Sequence, residues 1–188
     1  MVKKKACVFI SGSGTNLRSI IKSSRDYNFP IKVCLVVSNN KKAKGILFAK
    51  KFSIPYIYLN TNRQKFEKII FQKLIEKKID IICLAGFMKI LSKQIINVYK
   101  DRILNIHPSL LPKYKGLNTH KRVIKNKEKF TGCTVHLVSS KLDSGKIILQ
   151  KKIKVLKKDN ENSLSKRVLK FENLIYPKAI KKFIESNL

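Results

Sequence analysis

The chain has 188 residues, 44% of them hydrophobic, and a formal net charge of +31; this length predicts one hydrophobic core and a single domain over residues 1–188. Only six of the 42 basic residues are arginine, and the lysines are spread along the whole chain. Nucleic-acid surfaces favour arginine forks, so this pattern argues against a basic nucleic-acid-binding module and favours a solvated lysine-rich surface. Without a signal-peptide pattern or a long apolar run, we expect a cytoplasmic protein with no membrane partner.

Short apolar runs alternate with helical periodicity through the first hundred residues. Strands are predicted at residues 6–10, 31–37, 56–59 and 79–84. A helical pattern follows each strand, and the fourth pattern includes Ile90, Leu91, Ile95 and Ile96. This alternation predicts an α/β, Rossmann-like fold with a mostly parallel central sheet, helices on both faces and ligands at the carboxyl ends of the strands.

The pattern changes after residue 104. A loop with two prolines is predicted at residues 105–115, and residues 131–138 and 146–155 are predicted strands with no helix between them. They indicate antiparallel strands toward the C-terminus. Helical spacing returns from Ser163 onward, and Pro177 is expected to kink or interrupt this last helix.

The cysteines and histidines give no indication of a metal site. The four cysteines lie in apolar runs without CxxC or Cys/His spacing, and we expect them to be reduced thiols. The three histidines are dispersed and have no carboxylate spacing around them. No metal is therefore predicted.

The loop after the first strand contains Gly12-Ser-Gly14-Thr-Asn-Leu17. Glycines in such a loop let backbone amides approach an anion at a helix N-terminus. Leu17 replaces the third glycine of a dinucleotide fingerprint, and the Lys-Ser/Thr ending of a P-loop is missing. A single phosphate is the favoured ligand, and an ordinary tight turn is the alternative.

Asn105 and His107 are two residues apart at a predicted strand end, so extended backbone places them on one face. An amide donor and an imidazole together can stabilise an oxyanion and move a proton. Asp143, in the turn between the two late strands, could bring a carboxylate to the same edge and raise the pKa of the imidazole. The alternatives are a hydrogen-bonded structural histidine and an ordinary Asp-Ser-Gly turn.

Four motifs resemble the glycinamide ribonucleotide transformylases of the folate-dependent formyltransferase family. They are Gly-Ser-Gly-Thr-Asn-Leu at 12–17, Leu-Ala-Gly-Phe-Met-Lys-Ile-Leu at 84–91, Asn-Ile-His-Pro-Ser-Leu-Leu-Pro at 105–112 and Leu-Asp-Ser-Gly at 142–145. The resemblance implies the formyltransferase fold and formyl transfer from 10-formyltetrahydrofolate to the amine of glycinamide ribonucleotide in purine synthesis. It further implies small-molecule partners, no metal and a monomer or homodimer.

The same resemblance assigns roles to individual residues. Catalysis falls on Asn105, His107 and Asp143, phosphate binding on Gly14, Thr15 and Asn16, amine binding on Glu172, and folate binding on Arg63, Met88, Lys89, Ile90, Leu91 and Asn105. The implied mechanism is direct attack of the amine on the formyl carbon, with the oxyanion held by Asn105 and protonated His107. Asp143 would keep that imidazole charged.

Some positions depart from the family pattern. Asn118 stands where a histidine is common, Lys115 replaces a proline, and Lys89 replaces an arginine. Methionyl-tRNA formyltransferase shares the Asn, His and Asp arrangement and is the alternative enzyme. The glycine loop suits a small phosphorylated substrate better, and 188 residues leave no room for an added tRNA-binding domain.

Overall fold

The computed structural model describes residues 2–59 and 61–187, apart from the side chain of Arg63. The strands of this part of the chain are β1 (Lys4–Ile10), β2 (Ile31–Ser38), β3 (Tyr56–Tyr58), β4 (Ile81–Leu84), β5 (Ile103–His107), β6 (Phe130–Leu137) and β7 (Ile147–Lys154). The helices are α1 (Thr15–Ser24), α2 (Gly45–Lys51), α3 (Arg63–Glu76), α4 (Lys93–Val98), α5 (Thr119–Lys125) and α6 (Glu161–Asn187).

The strands form one sheet in the order β3-β2-β1-β4-β5-β6-β7. Strands β1 to β5 pair in parallel, whereas β6 is antiparallel to both β5 and β7. The predicted mixed sheet is therefore confirmed. The chain moves outward from β1 to β3 and then returns to β4 on the other side of β1. Such a switch in strand order opens a crevice beyond the carboxyl ends of β1 and β4.

Hydrophobic layers cover both faces of the sheet, which is why β1 is apolar from Ala6 to Ile10. Ala6, Val8 and Ile10 are fully buried in the layer that contains α1, α2 and α6. Cys7 and Phe9 are fully buried in the opposite layer, against α3 and α4. Burying an aliphatic or aromatic side chain stabilises a fold by about 1.5–3 kcal/mol relative to leaving it exposed, so these layers fix the position of the strand ends.

The last helix passes through Pro177 without interruption. The expected interruption is wrong, because tertiary packing outweighs the hydrogen bond that proline removes, whereas the expected kink stays a prediction. Pro177 is itself buried, and the neighbouring Tyr176 hydroxyl lies 3.0 Å from the carbonyl oxygens of both Leu84 and Leu104. Helix α6 is thereby held against the ends of β4 and β5.

Two helices near the crevice differ from the sequence predictions. Helix α4 begins only at Lys93, where Ser92 accepts the backbone N–H of Ile95 at 3.3 Å, so Ile90 and Leu91 precede the helix. Helix α5 was not predicted, since its seven residues are too few to establish a periodic pattern. None of the helices in the described residues is long and apolar enough to cross a membrane.

Candidate active site

A cavity of about 860 Å³ lies at the carboxyl ends of β1, β4 and β5. Its walls include residues 12–16, 84–91, 105–108, 116–120 and 138–143, together with His136 and Glu172. All the predicted site residues whose side chains the structure describes are in this lining. The topology therefore brings together segments that are more than 150 residues apart in the chain.

Gly14 places the first turn of α1 at one end of the cavity. Its φ is +74°, and a Cβ built on it would lie 2.3 Å from the Cα of Gly45. Only glycine fits this close approach and this left-handed backbone without strain. The first backbone N–H groups of a helix have no intrahelical acceptor, so Gly14, Thr15 and Asn16 frame a site suited to an anion.

Asn16 also forms a buried hydrogen bond with Glu172 of α6. The Asn16 Nδ2 atom donates to Glu172 Oε2 at 2.8 Å, and both side chains are buried. Burial raises the pKa of Glu172, and the hydrogen bond from Asn16 only partly opposes this effect. A buried carboxylate beside an anion-binding turn can bind an amine that belongs to a phosphorylated molecule.

The three predicted catalytic residues converge at the end of β5. Asn105 and His107 alternate along that strand, and Asp143 adopts φ +46° in the turn between β6 and β7. Asp143 Oδ2 lies 3.4 Å from His107 Nδ1 and accepts the backbone N–H of Gly116 at 2.8 Å. His107 and Asp143 are thus in side-chain contact, and Asn105 lines the same cavity.

His136 joins this group, although no sequence motif pointed to it. In the β5–β6 register it lies opposite Asn105, whose Nδ2 atom is 3.2 Å from His136 Nε2. That nitrogen is also 3.6 Å from Asp143 Oδ1. The signal that could have found His136 is antiparallel pairing, because directly opposite residues share a face of the sheet.

The protonation of the site follows from burial and from these contacts. Burial lowers the pKa of His107 and outweighs the Tyr114 carbonyl and the Asp143 carboxylate, which both raise it. The Asp143 carboxylate raises the pKa of His107, as predicted, but burial lowers this pKa by more, so the resting His107 imidazole is neutral at pH 7. Burial acts to raise the pKa of Asp143, yet its contacts with His136, the Gly116 amide and His107 outweigh burial, so this pKa is lowered.

The predicted folate-binding segment forms the opposite wall. Met88 and Ile90 are exposed, whereas Leu91 is buried under the segment. The backbone N–H of Met88 donates to Ser11 Oγ at 2.9 Å, and Lys89 Nζ lies 5.8 Å from the centre of the Phe66 ring. Exposed apolar side chains beside backbone polar groups suit a flat heteroaromatic ligand.

Two residues, Arg63 and His120, remain to be described. Arg63 is the first residue of α3, but its side chain lies outside what the structure describes. His120 lines the cavity, and its buried Nδ1 atom has no hydrogen-bond partner among the described residues. In residues 2–59 and 61–187 no group of three or more His, Cys, Asp and Glu side chains is arranged to hold a metal ion.

The fold and this site define a formyl transferase. Residues 4–180 match the family described as Formyl transferase, so the chain belongs to that family. It is 40% identical to the phosphoribosylglycinamide formyltransferase of Haemophilus influenzae, an alignment that covers 98% of this chain and 89% of that protein. The crystal structure of glycinamide ribonucleotide transformylase 1 from Symbiobacterium toebii superposes with a TM-score of 0.94 at 36% identity, covering 99% and 90% of the two chains.

Longer proteins contain the same unit. The human trifunctional purine biosynthetic protein adenosine-3 is 42% identical over 95% of this chain. This chain spans only 18% of that protein's length. The similarity therefore extends to one part of the trifunctional relative.

Proposed function

We propose that this chain transfers the formyl group of 10-formyltetrahydrofolate to the amine of glycinamide ribonucleotide in purine synthesis. The observation that carries the proposal is the contact between His107 and Asp143, with Asn105 in the same lining, in a cavity that has an anion-binding turn and an apolar wall. The names of the Haemophilus and Symbiobacterium relatives support the same acceptor.

Each part of the cavity has a partner in the proposed substrates. The ribonucleotide phosphate binds at residues 14–16, and its amine approaches Glu172. The folate lies along residues 88–91, where backbone groups meet the pterin and apolar side chains cover it. Arg63 and Asn105 contact the formyl donor. 10-Formyltetrahydrofolate is the only co-substrate that this reaction needs, and no step of the reaction uses a metal.

The reaction is addition of the amine to the formyl carbon, followed by departure of the folate nitrogen. A carbonyl oxygen only accepts hydrogen bonds, so the 2.8 Å contact with Tyr114 places the His107 proton on Nε2 and leaves Nδ1 basic. Nδ1 takes the proton that the attacking amine loses, which makes the ring a cation beside Asp143. That cation and the Asn105 amide stabilise the oxyanion, and the proton then leaves with the folate nitrogen.

The direct test is formyl transfer by the purified protein, followed through the absorbance of the released folate. Glycinamide ribonucleotide and charged initiator tRNA are offered in separate reactions with 10-formyltetrahydrofolate. We expect turnover with the ribonucleotide only, and loss of turnover in His107→Asn with the circular dichroism spectrum unchanged. Turnover with tRNA alone, or with neither acceptor, would overturn the proposal.

A further inference from the structure

Tyr114 connects the catalytic histidine to a surface cluster on the far side of the loop at residues 108–118. Its carbonyl oxygen accepts from His107 Nε2 at 2.8 Å. Its phenol donates to Glu128 Oε1 at 2.8 Å and accepts from Asn126 Nδ2 at 2.9 Å. One residue thus contacts the active site through its backbone and a separate polar cluster through its side chain.

The backbone of Tyr114 is held in an unfavourable conformation. Its φ is +56°, a region in which a bulky residue is rare and which costs of order 1–3 kcal/mol. Such a conformation persists only where surrounding contacts determine it. Here the phenol is bonded at its tip, and the guanidinium of Arg122 lies 5.2 Å from the centre of the ring.

We propose that Tyr114 is a positioning residue that fixes His107 in its Nε2–H form with Nδ1 toward Asp143, and that Glu128 holds Tyr114 in place for this task. The inference rests on the proposed function, since it concerns the residue that moves the proton. A neutral imidazole can carry its proton on either nitrogen. Without the Tyr114 carbonyl, a proton on Nδ1 would pair with Asp143 and remove the basic atom from the reaction.

The pKa of His107 depends on every titratable or charged group that faces it. These are Asp143 from the turn after β6, His136 from β6, and Arg122 and His120 from α5. The Tyr114 carbonyl adds to the effect of Asp143, because both raise the pKa of His107. Displacing that carbonyl must therefore lower the pKa of His107 further, while the other groups stay in place.

The experiment compares Tyr114→Phe, Glu128→Ala and the double variant with Tyr56→Phe as a control. Tyr56 also lies under a cation, with Lys50 Nζ 5.8 Å from its ring centre, but it lies in β3, far from the site. The chain has three histidines, so proton NMR titration follows each ring, and His107→Asn assigns the relevant signal.

We expect Tyr114→Phe and Glu128→Ala to shift the His107 titration to lower pH and to lower kcat by roughly tenfold, with KM little changed. Because both variants break the same hydrogen bond, between the Tyr114 phenol and Glu128, the double variant should shift the His107 titration about as far as either single variant. Glu128→Gln retains an acceptor for the phenol and should restore most of the titration. Wild-type titration of His107 in Tyr114→Phe, or full additivity in the double variant, would overturn the proposal.

The titration needs no substrate, so it separates this inference from the proposed function. Absence of formyl transfer in the wild-type protein would refute the function alone. A thermal unfolding curve for each variant ensures that the titrated protein is folded. A general loss of structure would shift all three histidine signals, whereas the proposed role shifts that of His107 most.

Discussion

Glu172→Gln should stabilise the fold while it weakens acceptor binding. Glu172 is 7% exposed, and its one described hydrogen bond comes from Asn16. The amide oxygen of glutamine can accept that same bond. The substitution therefore removes a buried ionisable group and leaves the shape and the hydrogen bond of the side chain in place.

The sign of the effect follows from the raised pKa of Glu172. Below the ordinary value of 4.5 the carboxyl is protonated in both the folded and the unfolded chain, and ionisation costs nothing. As the pH rises from there through the folded pKa, only the unfolded state ionises freely, so the wild-type protein loses stability. At pH 8 we expect the variant to be more stable by about 1–2 kcal/mol, or roughly 2–8 °C in Tm.

Thermal unfolding at several pH values and steady-state kinetics together test this reasoning. The stability difference should be large at pH 8 and should vanish near pH 4, while KM for glycinamide ribonucleotide rises roughly 10- to 100-fold. Glu185→Gln is the matched control, because Glu185 also belongs to α6 but is exposed. Its one described ion pair is a long surface contact, with Oε1 3.8 Å from Lys181 Nζ. A variant less stable than wild type at pH 8, with a gap independent of pH, would refute the reasoning.

Two further substitutions test the other ends of the cavity. Asp143→Asn should lower kcat roughly 10²- to 10⁴-fold and move the acid limb of the pH–rate profile to lower pH, because the carboxylate raises the pKa of His107; an unmoved limb would contradict this. The pKa of Asp143 is lowered on folding, so its contribution to stability is present above the ordinary value of 3.8 and disappears as the pH falls through the folded value. Gly14→Ala should cost about 2–4 kcal/mol by overlap with Gly45, whereas Gly12→Ala meets nothing within 4 Å; equal Tm values would contradict the close approach.

Most of the parallel half of the sheet was predictable because β1, β2 and β4 are largely buried on both faces. Such strands are continuous apolar runs, and residues 6–10 and 31–37 match β1 and β2 closely. Helix α6 was harder to predict, because proline normally disrupts a helix interior. The contacts that keep this helix continuous at Pro177 come from residues distant in sequence. Tyr176 bonds to carbonyl groups 72 and 92 residues away, and no local pattern records such contacts.

In the candidate site, too, residues grouped by local sequence could be predicted, whereas residues brought in by distant parts of the chain could not. Asn105 and His107 could be grouped from strand alternation alone, and the structure places His107 in contact with Asp143. His136 could not be placed on the sequence alone, because its position depends on the register between β5 and β6. The role of Tyr114 is harder still to predict from the sequence, since this residue acts through a backbone carbonyl that any residue type would supply.

The two buried carboxylates of the cavity show that nearby donors, rather than the net charge of +31, set the chemistry of this site. Both lie in the same positively charged protein, yet the pKa of Asp143 is lowered and that of Glu172 is raised. Asp143 meets a backbone N–H and two imidazoles, which offset its burial. Glu172 meets one amide, which does not. Replacing exposed lysines should therefore change how fast anionic substrates arrive, while both carboxylates keep their protonation.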